Sequence, residues 1–143
     1  MNKSIIVIAL IMVSLVTFAQ KTKEQNVPQV IKNTLLQKFP KATEIKWDKE
    51  GKNFESSFDL NNVDNSVVFN QDGKIVETEI EIKVSQLPKN AIQYLNDHYK
   101  NQKVKEVAKI VTEKGSLIYE AEIKGKDLFF DENGNFIKRD KVS

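Results

Sequence analysis

The segments VPQVIKNTLLQKF (residues 27–39) and LPKNAIQYLNDHY (87–99) lie one on the other without a gap. Val27, Ile31, Leu35 and Phe39 recur at intervals of four, and Leu87, Ala91, Leu95 and Tyr99 repeat the series 60 positions later. Spacings of three and four put such residues on one face of a helix. Each segment opens on an apolar residue and a proline, Pro28 or Pro88. Proline suits the first turn, where its missing N–H would have no intrahelical partner. Pro40 stops the first helix, because the residue before a proline is driven out of helical geometry. A chain that carries one helix twice must also accommodate two copies of the segment attached to it.

After each helix the pattern changes to alternation of period two. In FESSFDL, Phe54, Ser56, Phe58 and Leu60 share a face, as do Leu117, Tyr119, Ala121 and Ile123 in LIYEAEIK. Polar and charged residues stand between them, the pattern of a half-buried antiparallel sheet. TEIKWD (43–48) and VKEVAKIVT (104–112) read as the strands before, and SVVFNQDGKIVETEIEI (66–82) and DLFFDENGNFIKRD (127–140) as those after. Tyr119 aligns with Phe54 and Phe130 with Phe69, while NNVDN (61–65) lengthens one turn of the first copy. The fold class is α+β: two tandem helix-plus-strand repeats, about 27–82 and about 87–140, with both helices on one face of an antiparallel sheet. Units of roughly 55 residues are marginal alone, so the two are expected to share one core.

The stretch FFDENGNFIK raises the question of a metal. Asp131, Asn133 and Asn135 alternate like the first ligands of an EF-hand. That loop needs glycine at its sixth position and a bidentate acid at its twelfth. Counted from Asp131, Gly134 is fourth and Val142 is twelfth, so the pattern fails. The first copy offers Asp72-Gly73 where the second has Asn133-Gly134. Such dipeptides between strands predict a two-residue hairpin turn. On that register Phe69 opposes Val76 and Phe130 opposes Ile137. Phe129 and Phe136 then point away from the helices, with Val68, Ile75 and Ile118. These five form a candidate partner-binding surface, since an apolar patch rimmed by charge marks such sites; cross-strand packing is the rival explanation. Asn61, Asn62, Asp64 and Asn65 are a candidate interaction loop.

The first residues, MNKSIIVIALIMVSLVTFAQ, have a short positive start at Lys3, an apolar run and small residues before Gln20. This is the layout of a cleaved export signal over 1–19, leaving 20–143 as one domain. The stretch from Ile5 to Ala19 is shorter than the roughly 20 residues of a spanning helix, so no stable membrane anchor is expected after cleavage. Removal of 1–19 takes Lys3 and no acid, leaving 21 basic residues against 20 acidic. That balance gives no reason to expect nucleic acid as a partner.

Catalytic constellations are missing from the sequence. There is no cysteine, and His98 is the only histidine, which disfavours a zinc site. No serine sits in a nucleophile elbow, and no glycine-rich phosphate loop has the required spacing. No cofactor, metal or catalytic residue is therefore assigned. Glu77, Glu79 and Glu81, with Glu120 and Glu122, lie on one strand face. Alternation explains them as the solvated side of a sheet; acid–base chemistry or a hard cation is the sharper alternative.

LPKNAIQYLNDHY followed by IYEAEIKGKDLFFDENGNFIKRD resembles the PepSY-like family of secreted bacterial proteins. The leading Leu-Pro, the Tyr-Glu strand and the Phe-Asp-x-x-Gly hairpin carry the likeness. VPQVIKNTLLQKFP, IKWD and VVFNQDGKIVETE extend it over residues 27–140. The resemblance implies a fold like that of the β-lactamase inhibitor protein, a periplasmic or secreted location and no known catalytic activity. It transfers no catalytic or ligand residues. The expected function is a non-catalytic binding module, an inhibitor or modulator of an unknown envelope or secreted protein. The alternative is a cation or small-ligand sensor using the acidic outer strand face.

Overall fold

In the computed structural model, which describes residues 20–138, the elements run in this order: β1 (Gln20–Lys21), α1 (Gln29–Lys38), β2 (Thr43–Glu50), β3 (Asn53–Asp59), β4 (Asp64–Phe69), β5 (Ile75–Glu81), α2 (Lys89–His98), β6 (Val104–Thr112), β7 (Leu117–Ile123), β8 (Lys126–Asp131) and β9 (Phe136–Ile137). The strands form one antiparallel sheet in sequence order. Only β1–β2 and β5–β6 are joined through a helix. The export signal expected over 1–19 lies outside the described residues.

Directly opposed residues of an antiparallel ladder share a face. One row runs Phe58, Asn65, Ile80, Lys109, Tyr119, Phe130 across six strands. Phe58 packs in the cluster beneath α1, with Ile31 and Leu35. Phe130 packs in the cluster beneath α2, with Ala91 and Leu95, and Tyr119 lies against it. Both helices therefore cover the same face of the sheet. The expectation of a shared core is corrected: each helix has its own cluster, and the clusters are linked by the β5–β6 ladder. Strands of six to eight residues beneath a ten-residue helix bury enough aromatic area locally to fill a small core, with Trp47, Phe54 and Phe69 under α1.

The helix spacing is realised as the sequence predicts. Val27, Ile31 and Leu35 are buried under α1, and Leu87, Ala91 and Leu95 under α2. Phe39 and Tyr99 each lie against the cluster of their own helix.

The hairpin turns differ from the two-residue prediction. The Gly73 N–H donates to the Asn70 carbonyl, and the Asn70 N–H to the Lys74 carbonyl, each at 3.0 Å. Gly73, at φ +80°, closes a three-residue loop with a bulge. In the second tip the Gly134 N–H donates to the Asp131 carbonyl and the Asp131 N–H to the Asn135 carbonyl, both at 2.9 Å. The cause is the side chain that begins each loop. The Asn70 Oδ1 accepts the N–H groups of Asp72 and Lys74. Asp131 accepts those of Asn133 and Asn135, and the Asn135 amide as well. Such turn-closing acceptors favour the longer loop.

The extra residue moves the register by one at each tip, and in the first copy a bulge between Val68 and Phe69 restores the expected register from Val68–Glu77 onward. Phe130 opposes Phe136 and Phe69 opposes Ile75, so Phe136 and Ile75 turn to the helix side. The left-handed pair expected at Asp-Gly occurs instead at Asn61–Asn62, φ 57° and 62°, where Leu60 and Val63 exchange both hydrogen bonds. Residues 61–65 thus end longer strand arms around a two-residue turn rather than lengthening the turn itself.

Candidate functional site

The face opposite the helices is built from the remaining residues of every strand. Its rows are Asp48–Glu55–Val68–Glu77–Thr112, then Lys46–Ser57–Ser66–Glu79–Ile110–Ile118–Asp131. Next come Glu81–Ala108–Glu120–Phe129–Ile137 and Glu106–Glu122–Asp127. Alternation therefore sorts charge as well as polarity. Among the described residues, every aspartate and glutamate that takes part in a ladder pair is on this face; Lys49, Lys109 and Lys126 are on the other.

The face curls inward. Glu55 on β3 and Asp127 on β8 line the same hollow of 160 Å³, with Glu79, Glu106, Glu120 and Glu122. In a flat sheet those two strands would stand about 24 Å apart at the usual ~4.8 Å spacing. A hollow this small does not span that distance, so the right-handed twist has coiled the sheet around it. A second hollow of 270 Å³ continues from it past Glu55, Glu79 and Glu106 to Lys46, Asp59 and Asp64. Apolar side chains share this face with the carboxylates. Val68, Ala108, Ile110 and Phe129 are all buried, although neither α1 nor α2 covers them.

The electrostatics follow from that geometry. Glu106 has its carboxyl pushed above the usual range, first by burial and then by Glu81 and Glu122. Lys105, displaced outward at a bulge in β6, bonds both oxygens of Glu122 at 3.0 Å, and this bond raises its own pKa. At the far corner Lys74 and Glu113 pair at 2.9 Å, which lowers the Glu113 carboxyl. Asp131 is lowered by the hydrogen bonds from Asn135 and the neighbouring backbone. Its carboxylate is thus engaged in closing its own turn. Among the described residues no three of His, Cys, Asp and Glu converge as a metal site would require.

The sequence-predicted surface residues separate into two groups. Val68, Ile118 and Phe129 lie on the curled face, with Val68 and Phe129 buried. Ile75 packs against the α1 cluster. Phe136 stacks flat on Tyr94 at 4.9 Å and meets Phe130 edge-on. The physical reason is the one-residue register change at the hairpin tips. Of the candidate loop, Asn61 and Asn62 form the turn, and Asn65 faces the helix side and donates to the Val63 carbonyl. Asp64 is on the curled face by its ladder pair with Asp59, and both Asp64 and Asn65 border the larger hollow. Glu55, Asp59, Glu106 and Asp127 were missed, although each adjoins an apolar residue of its strand, Phe54, Phe58, Val107 and Leu128 in turn. His98 ends α2 with its ring 4.2 Å from that of Tyr94.

A family model described as "Putative beta-lactamase-inhibitor-like, PepSY-like" matches residues 17–77 and 56–138. A solved structure from Bacteroides eggerthii, described as of "putative periplasmic proteins", superposes with TM-score 0.70 at 17% identity, covering 78% of this chain and 86% of that one. A BLIP-like protein from Bacteroides fragilis gives TM-score 0.57 at 22% identity, covering 81% and 91%. At these identities the likeness is one of fold. No curated protein matches the chain. Among the described residues no helix is long and apolar enough to cross a membrane.

Proposed function

The chain belongs to the PepSY-like family, and from that premise we propose that it is a non-catalytic binding module of the cell envelope whose curled sheet face docks another protein. One observation carries the reading: both helices cover one face of the sheet, and among the described residues the opposite face forms an uncovered, inward-curved surface. Curvature and apolar side chains among polar ones are what a protein interface uses. The likeness to a BLIP-like protein and to one described as periplasmic supports inhibition or modulation of a periplasmic or secreted partner. The duplicated helix and strand pattern supports descent from a half-size unit, with residues 1–19 as a removed export signal and 20–143 as the working domain.

The carboxylates are spread over seven strands rather than gathered, which favours a macromolecular partner over the cation-sensor alternative. The test is affinity capture from envelope extract with the wild-type protein, Ile118→Ser and Phe136→Ser. Ile118 is on the curled face and Phe136 on the helix side. Loss of a captured protein with Ile118→Ser but not Phe136→Ser is expected, with folding checked by circular dichroism. Equal capture by all three would refute docking on this face.

A further inference from the structure

The charge pattern of the curled face specifies the chemistry of what it docks, and this step rests on the docking proposed above. The whole chain is close to balanced, with 22 basic residues and 20 acidic. The segregation is therefore positional. Among the described residues all ladder carboxylates share one face, where Lys21 and Lys46 are the cations in ladder pairs and Lys105, at a bulge, bonds Glu122. We propose that this face binds an extended lysine- and arginine-rich polypeptide segment of a partner protein.

Three features converge on that occupant. The first is spacing. Glu77, Glu79 and Glu81 lie at i, i+2 and i+4 of one strand. Residues two apart in a strand are about 6.6–6.8 Å apart, the same repeat as side chains on one side of any extended peptide. Adjacent strands repeat the negative charge at Glu55, Glu106, Glu120 and Glu122. Such a lattice matches a run of cations, whereas a single ion needs the convergence that no described group of three provides. The second is apolar contact. Ile118, partly exposed on this face, offers apolar ground for the methylene stems of lysine and arginine while their heads reach the carboxylates. The third is the cost carried by the free protein. Burial and the nearby Glu81, Glu122 and Asp64 disfavour the charged form of Glu106, and only Lys105 offsets them. A cationic partner relieves that repulsion on binding, and steers its own approach. Nucleic acid and anionic lipid have the wrong sign.

The experiment is fluorescence anisotropy with labelled decalysine at low and at physiological salt, on the wild type and two triple variants. One, Glu79→Gln/Glu106→Gln/Glu122→Gln, strips the face. The other, Glu24→Gln/Asp97→Asn/Glu132→Gln, removes equal charge from a short helical turn, α2 and a hairpin tip. Saturable binding by the wild type, weakened by salt, is expected. The face variant should lose about tenfold or more in affinity, equivalent to about 1.4 kcal/mol, with the control variant unchanged. Absence of binding, or equal loss in both variants, would overturn the proposal. So would spermine competing as well as decalysine, which would make the face a small-polyamine site. If decalysine fails while Ile118→Ser still abolishes protein capture, the docking face stands and only its cationic occupant is refuted.

Discussion

Replacing Gly134 by alanine tests whether the second hairpin tip is seated on the start of α2. Gly134 has φ +82°, and a Cβ there would lie 2.7 Å from the Ala91 nitrogen and 2.8 Å from the Pro88 Cβ. Asn90 also ties to the tip, donating from its side-chain amide to the Asn133 carbonyl at 3.0 Å. Gly115 has nearly the same conformation, φ +79°, with nothing within 4 Å of its added Cβ. The backbone cost of placing an L-residue there is common to both, about 1–2 kcal/mol. Gly134→Ala adds overpacking against a helix backbone, typically about 1–3 kcal/mol. The expected losses are about 1–2 kcal/mol for Gly115→Ala and about 2–5 kcal/mol for Gly134→Ala. Urea unfolding followed by far-ultraviolet circular dichroism measures both. With a slope of about 1–3 kcal/mol per molar, the two midpoints should differ by roughly 1 M. Gly125→Ala, at φ +71° with open space around it, should behave like Gly115→Ala. Equal midpoints for Gly115→Ala and Gly134→Ala would refute the seating, because only the contact distinguishes them.

Ser56 is fully buried beneath α1, and its hydroxyl has no hydrogen-bond partner; removing it in Ser56→Ala should stabilise by about 1 kcal/mol, read by the same urea titration. Phe136→Ala should cost about 1–2 kcal/mol through loss of the Tyr94 stack and local burial, and leave partner capture unchanged. For Glu106 the folded pKa stands above its unfolded value, so the ionised form burdens the fold at neutral pH. That burden lessens as pH falls through the folded pKa and is gone below the unfolded one. Glu106→Gln should therefore unfold at higher urea than wild type at pH 7, with the gap closing in acid; a gap that widens in acid would contradict the assignment.

The helices and the sidedness of the strands were legible because periods of four and two leave little freedom. Val27, Ile31 and Leu35 could be assigned to the core from spacing alone, and Glu77, Glu79 and Glu81 to the opposite face. The hairpin tips were not legible from Asp72-Gly73 and Asn133-Gly134. Those dipeptides fit a two-residue turn, but the decisive groups are Asn70 and Asp131, whose acceptors close a loop one residue longer. The error was small in sequence and large in space, since it reversed Ile75 and Phe136. The curl of the sheet was hidden for a different reason. It arises from twist accumulated over many strands, and no single strand encodes it. Glu55 and Asp127 stand far apart in sequence and in strand order, yet border one hollow. The separate clusters under α1 and α2 were likewise unreadable from length, which argued for a shared core.

Within each half, a sheet whose neighbours in space are neighbours along the chain brings strands β2 to β5 and β6 to β9 together by closing short loops, and short loops close at little entropic expense. Contacts of that kind go with rapid folding. The α1 cluster is complete by Ile75, before any residue of α2 is needed. A chain emerging amino end first therefore has its first cluster ready to condense while the second is still to appear, and the leading half offers β5 as the template on which β6 pairs.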